Sequence, residues 1–165
     1  MIKFKVFGFG NDAPSTSTTV AGEESPFSAN EPQNDPLGKK VVIVDDDPVF
    51  SKATAMKLRS AGFHVRTTSE PAQAIAALSE LRADAVLMDI ELPPDVCNGG
   101  MGSWDGFQLM NWLRGLPAAK GVRFIMVSNS GSPANRQRAQ KLGAVAYFQK
   151  PLDHDKLFAV LNADN

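Results

Sequence analysis

Several residues that could bind a metal ion and a phosphoryl group follow short apolar stretches of this chain. The stretches lie far apart in sequence, and each chemical group comes directly after one of them. Carboxylates supply the hard oxygen ligands that Mg²⁺ prefers, and a hydroxyl and an ammonium group can bind phosphoryl oxygens. One carboxylate of such a set could be the nucleophile that accepts the phosphoryl group. The side chains are Asp45, Asp46, Asp89, Ser128 and Lys150.

The apolar stretches predict the sheet that would bring these side chains together. They are short, continuous and mostly β-branched, as expected of strands buried on both faces of a parallel sheet. Patterns of helical spacing separate them, so the chain alternates strand and helix five times, which predicts a doubly wound parallel α/β sheet. Ligands bind at the carboxyl ends of the strands in such sheets. The apolar stretches are 41–44, 85–88, 122–127 and 145–148, and we expect 64–67 to be an edge strand. The predicted helices are 48–61, 69–81, 105–115, 133–142 and 153–162.

The first helix has clear start and stop signals. Asp47 is a typical N-cap residue, a proline follows it, and Gly62 ends the pattern. The helical periodicity rests on Val49, Ala53 and Met56, which share one face at four- and three-residue spacing.

These motifs, taken in order, resemble the receiver domain of two-component response regulators. Each motif alone is weak, but all of them follow apolar stretches in the order of that family, and the resemblance covers about residues 39–163. It implies the flavodoxin-like fold, a five-stranded parallel sheet of order 2-1-3-4-5 with helices on both faces. The motifs are Val44-Asp-Asp-Asp-Pro48, Val86-Leu-Met-Asp-Ile-Glu-Leu-Pro93, Asp105-Gly106, Ile125-Met-Val-Ser128 and Tyr147-Phe-Gln-Lys-Pro151.

The resemblance also implies roles for individual residues. Asp89 would accept a phosphoryl group from a phosphohistidine, and Lys150 would bond a phosphoryl oxygen. Mg²⁺ would be bound by Asp46 and Asp89 directly, by Asp45 mostly through water, and by the backbone carbonyl of Glu91.

The same resemblance assigns two switch positions and a special peptide bond. Ser128 would be the switch hydroxyl that moves toward the phosphoryl group, and Tyr147 would be the aromatic residue that turns inward in response. The Lys150–Pro151 peptide bond would be cis.

The chain departs from the family pattern near the phosphoacceptor. Eleven residues at 94–104 separate Pro93 from Asp105, about eight or nine more than the pattern needs, and they include Cys97 and Trp104. This loop is either a lid or partner contact, or a tolerated surface insertion.

Three further residues would border the phosphoryl group. Glu91 and Ser130 occupy positions that modulate the lifetime of the acyl phosphate in the family. Asn129 is bulkier than the small residue frequent at its position and could restrict access.

Composition divides the chain near residue 38. Residues 11–38 contain four prolines, five acidic residues and no Lys or Arg, so we expect residues 1–38 to be a disordered tail. The part from 39 to 165, with 15 basic and 13 acidic residues, is the predicted receiver domain.

The sequence as a whole predicts a bacterial, cytoplasmic single-domain response regulator that signals through protein–protein contacts. Its expected partners are a histidine kinase or a histidine phosphotransfer protein and a downstream protein. A formal net charge of −1 argues against nucleic-acid binding, and no apolar stretch is long enough for membrane insertion. We expect no turnover of an external substrate.

Two alternatives belong to other classes. A pseudo-receiver would keep the fold as a binding or scaffold module without phosphorylation. A Mg²⁺-dependent phosphohydrolase would also use an aspartate nucleophile, but it normally has a second aspartate two residues later, where this chain has Glu91.

Overall fold

The computed structural model describes residues 38–92 and 105–163. Five strands alternate with five α-helices, and a short 3₁₀ helix at Pro117–Ala119 was not predicted. The elements in chain order are β1 Lys40–Val44, α1 Pro48–Ser60, β2 His64–Thr68, α2 Pro71–Leu81, β3 Ala85–Asp89, α3 Gly106–Arg114, β4 Arg123–Ser128, α4 Pro133–Lys141, β5 Ala146–Gln149 and α5 His154–Asn162.

The strands form one parallel sheet in the order β2-β1-β3-β4-β5. This is the predicted flavodoxin-like order, so the fold prediction is confirmed. Predicted and observed ends of the elements differ by one or two residues at most places. The largest consequence is that Asp89 and Ser128 are the last residues of β3 and β4 rather than the residues after them.

Each face of the sheet carries a core. On one face, alternate strand residues such as Val42 and Met126 pack against α2, α3 and α4. On the other face, the remaining strand residues, such as Ile43 and Ile125, pack against α1 and α5. The three inner strands β1, β3 and β4 are buried on both sides, which explains why their sequences are continuous apolar stretches without alternation.

Helix α1 is where predicted, but the stripe that revealed it does not face the core. Val49 and Met56 are 75% and 62% exposed. The buried side of the helix instead carries small or polar residues together with Leu58, and the Ser51 hydroxyl donates to the backbone carbonyl of Asp45 at 3.4 Å. Small side chains let the helix approach the sheet closely, so its buried side is not its most apolar side.

Parts of two predictions fall outside the described residues. The expected tail at 1–38 lies there except for its last residue, and so does the inserted loop near 94–104 with Cys97 and Trp104. In the described ranges, no helix combines the length and the apolar character that crossing a membrane requires.

Candidate functional site

The sheet brings the predicted site residues to one edge. Asp45 follows β1, Asp89 ends β3, Ser128 ends β4 and Lys150 follows β5. Since these four strands are neighbours in the sheet, residues more than a hundred positions apart in sequence share the carboxyl edge. Asp45, Asp89 and Ser128 are buried, at 3%, 2% and 0% exposure, so the edge forms a cleft rather than an open surface.

Lys150 is the cation at the centre of this cleft. Its Nζ atom donates to Asp89 Oδ2 at 2.7 Å and forms an ion pair with Asp45 Oδ2 at 2.8 Å. Both contacts are nearly solvent-free, because only 10% of the lysine side chain is exposed. The Lys150–Pro151 peptide bond is cis, as predicted. One ammonium group therefore bridges two carboxylates from different strands.

Burial dominates the electrostatics of Asp45. Desolvation raises the pKa of its carboxyl group from 3.8 to about 6, although Lys150 and the amide of Asp47 stabilise the charged form. The negative charge of Asp89 contributes to the same rise. Burial also opposes the charge of Lys150, but its two carboxylate partners outweigh that effect and raise the pKa of the ammonium group. The cleft thus holds more negative charge than its single lysine balances.

The acidic residues of the cleft fit a divalent cation. Asp45, Asp46 and Asp89 each offer an oxygen, and these atoms all lie within 4.8 Å of one another. Asp45 Oδ2 is buried, and its contact with Lys150 Nζ at 2.8 Å is an ion pair that a metal ion bound by the cluster would compete with. A set of carboxylate oxygens is the ligand chemistry that Mg²⁺ prefers. Asp46 is exposed, so the cluster opens toward solvent.

Glu91 connects the loops after β3 and β4. Its carboxylate accepts a hydrogen bond from Asn129 Nδ2 at 2.6 Å and a longer one from the Ser128 hydroxyl at 3.4 Å. The Glu91 amide donates to Asp89 Oδ1 at 3.1 Å, which holds the other carboxylate oxygen of Asp89. The two sides of the cleft are therefore linked beside Asp89. The role of the Glu91 carbonyl as a metal ligand stays a prediction.

Tyr147 lies inward on β5. It is 9% exposed, and its hydroxyl donates to the backbone carbonyl of Ser130. The guanidinium group of Arg136 covers the ring at 5.0 Å from its centroid. The predicted switch residue is thus connected to the loop after Ser128, the predicted switch hydroxyl. That it turns inward in response to phosphorylation stays a prediction.

The start of α3 is packed directly against the end of β3. Gly106 donates its amide to the Ile90 carbonyl at 2.9 Å, and a Cβ on it would lie 1.9 Å from the Asp89 carbonyl oxygen. Only glycine fits this approach, which accounts for the Asp-Gly motif. Asp105 caps the helix through a capping box and also forms a 2.8 Å ion pair with Arg138 of α4.

Two contacts of the site were missed by the sequence reasoning. The Lys150 ammonium lies 4.3 Å from the centroid of the Phe50 ring, and Arg138 covers the Phe107 ring at the same distance. A usable signal for Phe50 was its place one turn after the acidic motif, on the side of α1 that carries Ser51 and Thr54. No sequence pattern predicted the contacts of Arg138, because they depend on how α3 and α4 pack against each other.

Comparisons with known proteins agree with this geometry. The family model described as "Response regulator receiver domain" matches residues 41–162. The transcriptional regulatory protein GltR of Pseudomonas aeruginosa is 32% identical over 126 residues, which are 76% of this chain and 48% of GltR. The DNA-binding response regulator MtrA of Mycolicibacterium smegmatis is 29% identical over 129 residues, 78% of this chain and 51% of MtrA. The chain thus spans about half the length of these curated relatives.

A solved structure extends the comparison to the fold. The receiver domain of the sensor histidine kinase PA1611 from Pseudomonas aeruginosa PAO1 has a TM-score of 0.62 and 26% identity to this chain. The match covers 75% of this chain and 94% of that domain, whose active-site cleft holds a coordinated magnesium ion.

Proposed function

Since the chain belongs to the response regulator receiver domain family, we propose that Asp89 accepts a phosphoryl group from a phosphohistidine in a Mg²⁺-dependent step. The donor is a histidine kinase or a histidine phosphotransfer protein. The observation that carries this proposal is the buried contact of Lys150 Nζ with Asp89 Oδ2 at 2.7 Å inside a three-carboxylate cluster. An ammonium group at that position can follow the carboxylate oxygen as it becomes part of an acyl phosphate.

Each residue of the cleft has its own role in the transfer. A carboxylate oxygen of Asp89 attacks phosphorus, the phosphorus–nitrogen bond of the phosphohistidine breaks, and its electron pair returns to the imidazole. Lys150 and the Ser128 hydroxyl bind the oxygens of the transferred group. Asp45, Asp46 and Asp89 would hold Mg²⁺, which supplies positive charge to the phosphoryl oxygens when bound.

The amide of Glu91 keeps the Asp89 carboxylate oriented for this attack. It donates to Oδ1, whereas Lys150 contacts Oδ2, so rotation of the carboxylate is restricted from both sides. Fixing the nucleophile in this way lowers the entropy that the transfer step must lose.

Intact mass spectrometry tests the proposal. The full chain, incubated with Mg²⁺ and a small phosphodonor such as acetyl phosphate, should gain the mass of one phosphoryl group. Asp89→Asn should gain none, whereas Asp84→Asn, a matched variant at the opposite edge of the sheet, should behave as wild type. Absence of the gain in wild type with small donors and with phosphohistidine donors would instead favour the pseudo-receiver.

Signal output is proposed to run through protein–protein contacts in the cytoplasm of a bacterium, without turnover of an external substrate. Phosphorylation at Asp89 changes the charge near Ser128 and Tyr147. The hydroxyl groups of both residues form hydrogen bonds with the backbone of Ser130, in the loop that leads to α4. MtrA is named a DNA-binding response regulator, so binding to DNA is the competing output. A fluorescence anisotropy titration with random duplex DNA, before and after phosphorylation, should show no binding at physiological salt.

A further inference from the structure

The Phe50 ring is a third partner of the Lys150 ammonium group, beside the carboxylates of Asp45 and Asp89. The ammonium group has three hydrogens. Two carboxylates, from Asp45 and Asp89, lie within 2.8 Å of Nζ, and the Phe50 ring centroid is 4.3 Å away. Cations within about 6 Å of an aromatic centroid are attracted by the negative face of the ring. The lysine is therefore held by two charged partners and one uncharged partner.

The acidic motif itself fixes the position of the ring. Asp47 caps α1 by accepting hydrogen bonds from the amides of Val49 at 2.9 Å and Phe50 at 3.2 Å. This cap sets the first turn of the helix, and the half-buried Phe50 side chain then packs against the core between α1, α5 and the sheet. The turn that follows Asp45 and Asp46 thus also delivers the ring to Lys150.

We propose that Phe50 is a positioning residue, which holds the Lys150 ammonium group in the cleft while its carboxylate partners change. The inference rests on the proposed function, in which Lys150 moves from Asp89 to a phosphoryl oxygen. Each ion pair of Lys150 weakens when its carboxylate binds a metal ion or becomes an acyl phosphate. The attraction of the ring does not depend on either carboxylate.

The long lysine side chain makes such an anchor useful. It has four rotatable bonds, and it reaches the correct oxygen only in a small part of its conformational range. An uncharged anchor removes part of that entropy loss from the transfer step. We expect loss of the ring to slow phosphorylation by about two- to fivefold, the factor that corresponds to an ordinary cation–π contact.

A spectroscopic measurement tests the contact without phosphorylation. In the metal-free protein, the ring current of Phe50 should shift the ε-methylene protons of Lys150 upfield in ¹H–¹³C NMR spectra. Phe50→Leu should abolish the shift, and Phe50→Tyr should keep it. Phe158→Leu removes another half-buried ring from the same core, where it stacks on Phe63 at 6.1 Å, and should leave the shift unchanged. An unshifted Lys150 in wild type would overturn the inference.

Phosphorylation kinetics test the consequence. With acetyl phosphate and Mg²⁺, Phe50→Leu should be about two- to fivefold slower than wild type, whereas Phe50→Tyr and Phe158→Leu should match it. Equal rates for Phe50→Leu and wild type, or an equal loss in Phe158→Leu, would overturn the positioning role. A wild-type protein that takes up no phosphoryl group would contradict the proposed function, and the NMR shift would still decide whether Phe50 holds Lys150. Urea denaturation identifies any variant that has lost its fold.

Discussion

The two edges of the sheet use the same kinds of residue for different purposes. At the amino edge, Arg123 donates to backbone carbonyls at the end of α5, including that of Ala163 at 2.8 Å, and Lys39 donates to the Leu161 carbonyl at 3.0 Å. A helix C-terminus carries partial negative charge and unsatisfied carbonyls, so these cations complete the helix. Asp84 is satisfied there by the amide of Lys40 at 2.7 Å.

At the carboxyl edge the charges are not matched. Three carboxylates, those of Asp45, Asp46 and Asp89, lie together there, and Lys150 forms ion pairs with Asp45 and Asp89. Such an arrangement costs stability unless a further cation or group completes it. The comparison teaches that unmatched charge at a sheet edge, rather than charge itself, marks the functional end of this domain.

The largest effect should come from removing the cation of the unmatched edge. Lys150→Met leaves two buried carboxylates without their counter-ion, and the free energy of unfolding at pH 7.5 should fall by about 2–4 kcal/mol. Urea denaturation measures this value, and added Mg²⁺ should restore part of the loss. An unchanged stability would show that the ion pairs of Lys150 do not compensate the burial of Asp45 and Asp89.

The same variant should depend on pH in a defined direction. Asp45 has a folded-state pKa of about 6, above its ordinary 3.8, so the folded state binds protons more readily than the unfolded state. Its contribution to stability is favourable below pH 3.8 and is lost as the pH rises through 6. Lys150 lowers this pKa, so Lys150→Met should raise it and should recover stability relative to wild type as the pH is lowered from 7.5 to 5.

Removing a cation from the matched edge should be less costly and should not depend on Mg²⁺. Arg123→Met leaves carbonyls at the end of α5 without their donor, which should lower the free energy of unfolding by about 1–2 kcal/mol. Phosphorylation should stay within about twofold of wild type, since the carboxyl edge is intact. If Arg123→Met stayed folded but lost phosphorylation, the amino edge would also contribute to function, which would contradict the distinction between the two edges.

The affinity for Mg²⁺ should be about tenfold weaker at pH 5 than at pH 7.5, because a group with a pKa of about 6 is mostly protonated at pH 5. Isothermal titration calorimetry checks this value. Asp84→Asn, at the amino edge, should leave both the affinity and its pH dependence unchanged. An affinity that is constant between pH 5 and 7.5 would show that Asp45 does not contribute to the metal site.

The smallest effect should come from the bridge across the cleft. Asn129→Ala removes the 2.6 Å hydrogen bond to Glu91 and opens the approach to Asp89, so phosphorylation by acetyl phosphate should become about two- to fivefold faster. Gln137→Ala, an exposed variant on α4, should not change the rate. A slower rate for Asn129→Ala would mean that the bridge helps to position the cleft rather than restricting it.

The sequence predicted most of the fold because three strands are buried on both faces and four of the five α-helices have an N-cap side chain. Asp47 caps α1, as its position in the sequence indicated, and Ser132 caps α4. It misjudged the face of α1, since the exposed stripe of Val49 and Met56 is more apolar than the side that packs on the sheet.

The site was predictable where it depends on strand ends and less so where it depends on packing. Parallel strands bring their last residues to one edge whatever lies between them, so Asp89, Ser128 and Lys150 could be grouped from the sequence. The contact of Phe50 with Lys150 depends on which face of α1 packs on the sheet. The apolar periodicity of α1 predicted the wrong face. The Glu91–Asn129 bridge depends on the course of two loops, which spacing alone does not determine.

Chemical trapping tests the central claim most directly. Wild-type protein is incubated with Mg²⁺ and acetyl phosphate, reduced with borohydride, which converts an acyl phosphate to an alcohol, and then mapped by peptide mass spectrometry. We predict homoserine at position 89 and unmodified aspartate at positions 45, 46 and 84. Homoserine at another position, or a phosphoryl group on a hydroxyl or histidine side chain instead, would contradict the assignment of Asp89 as the phosphoacceptor.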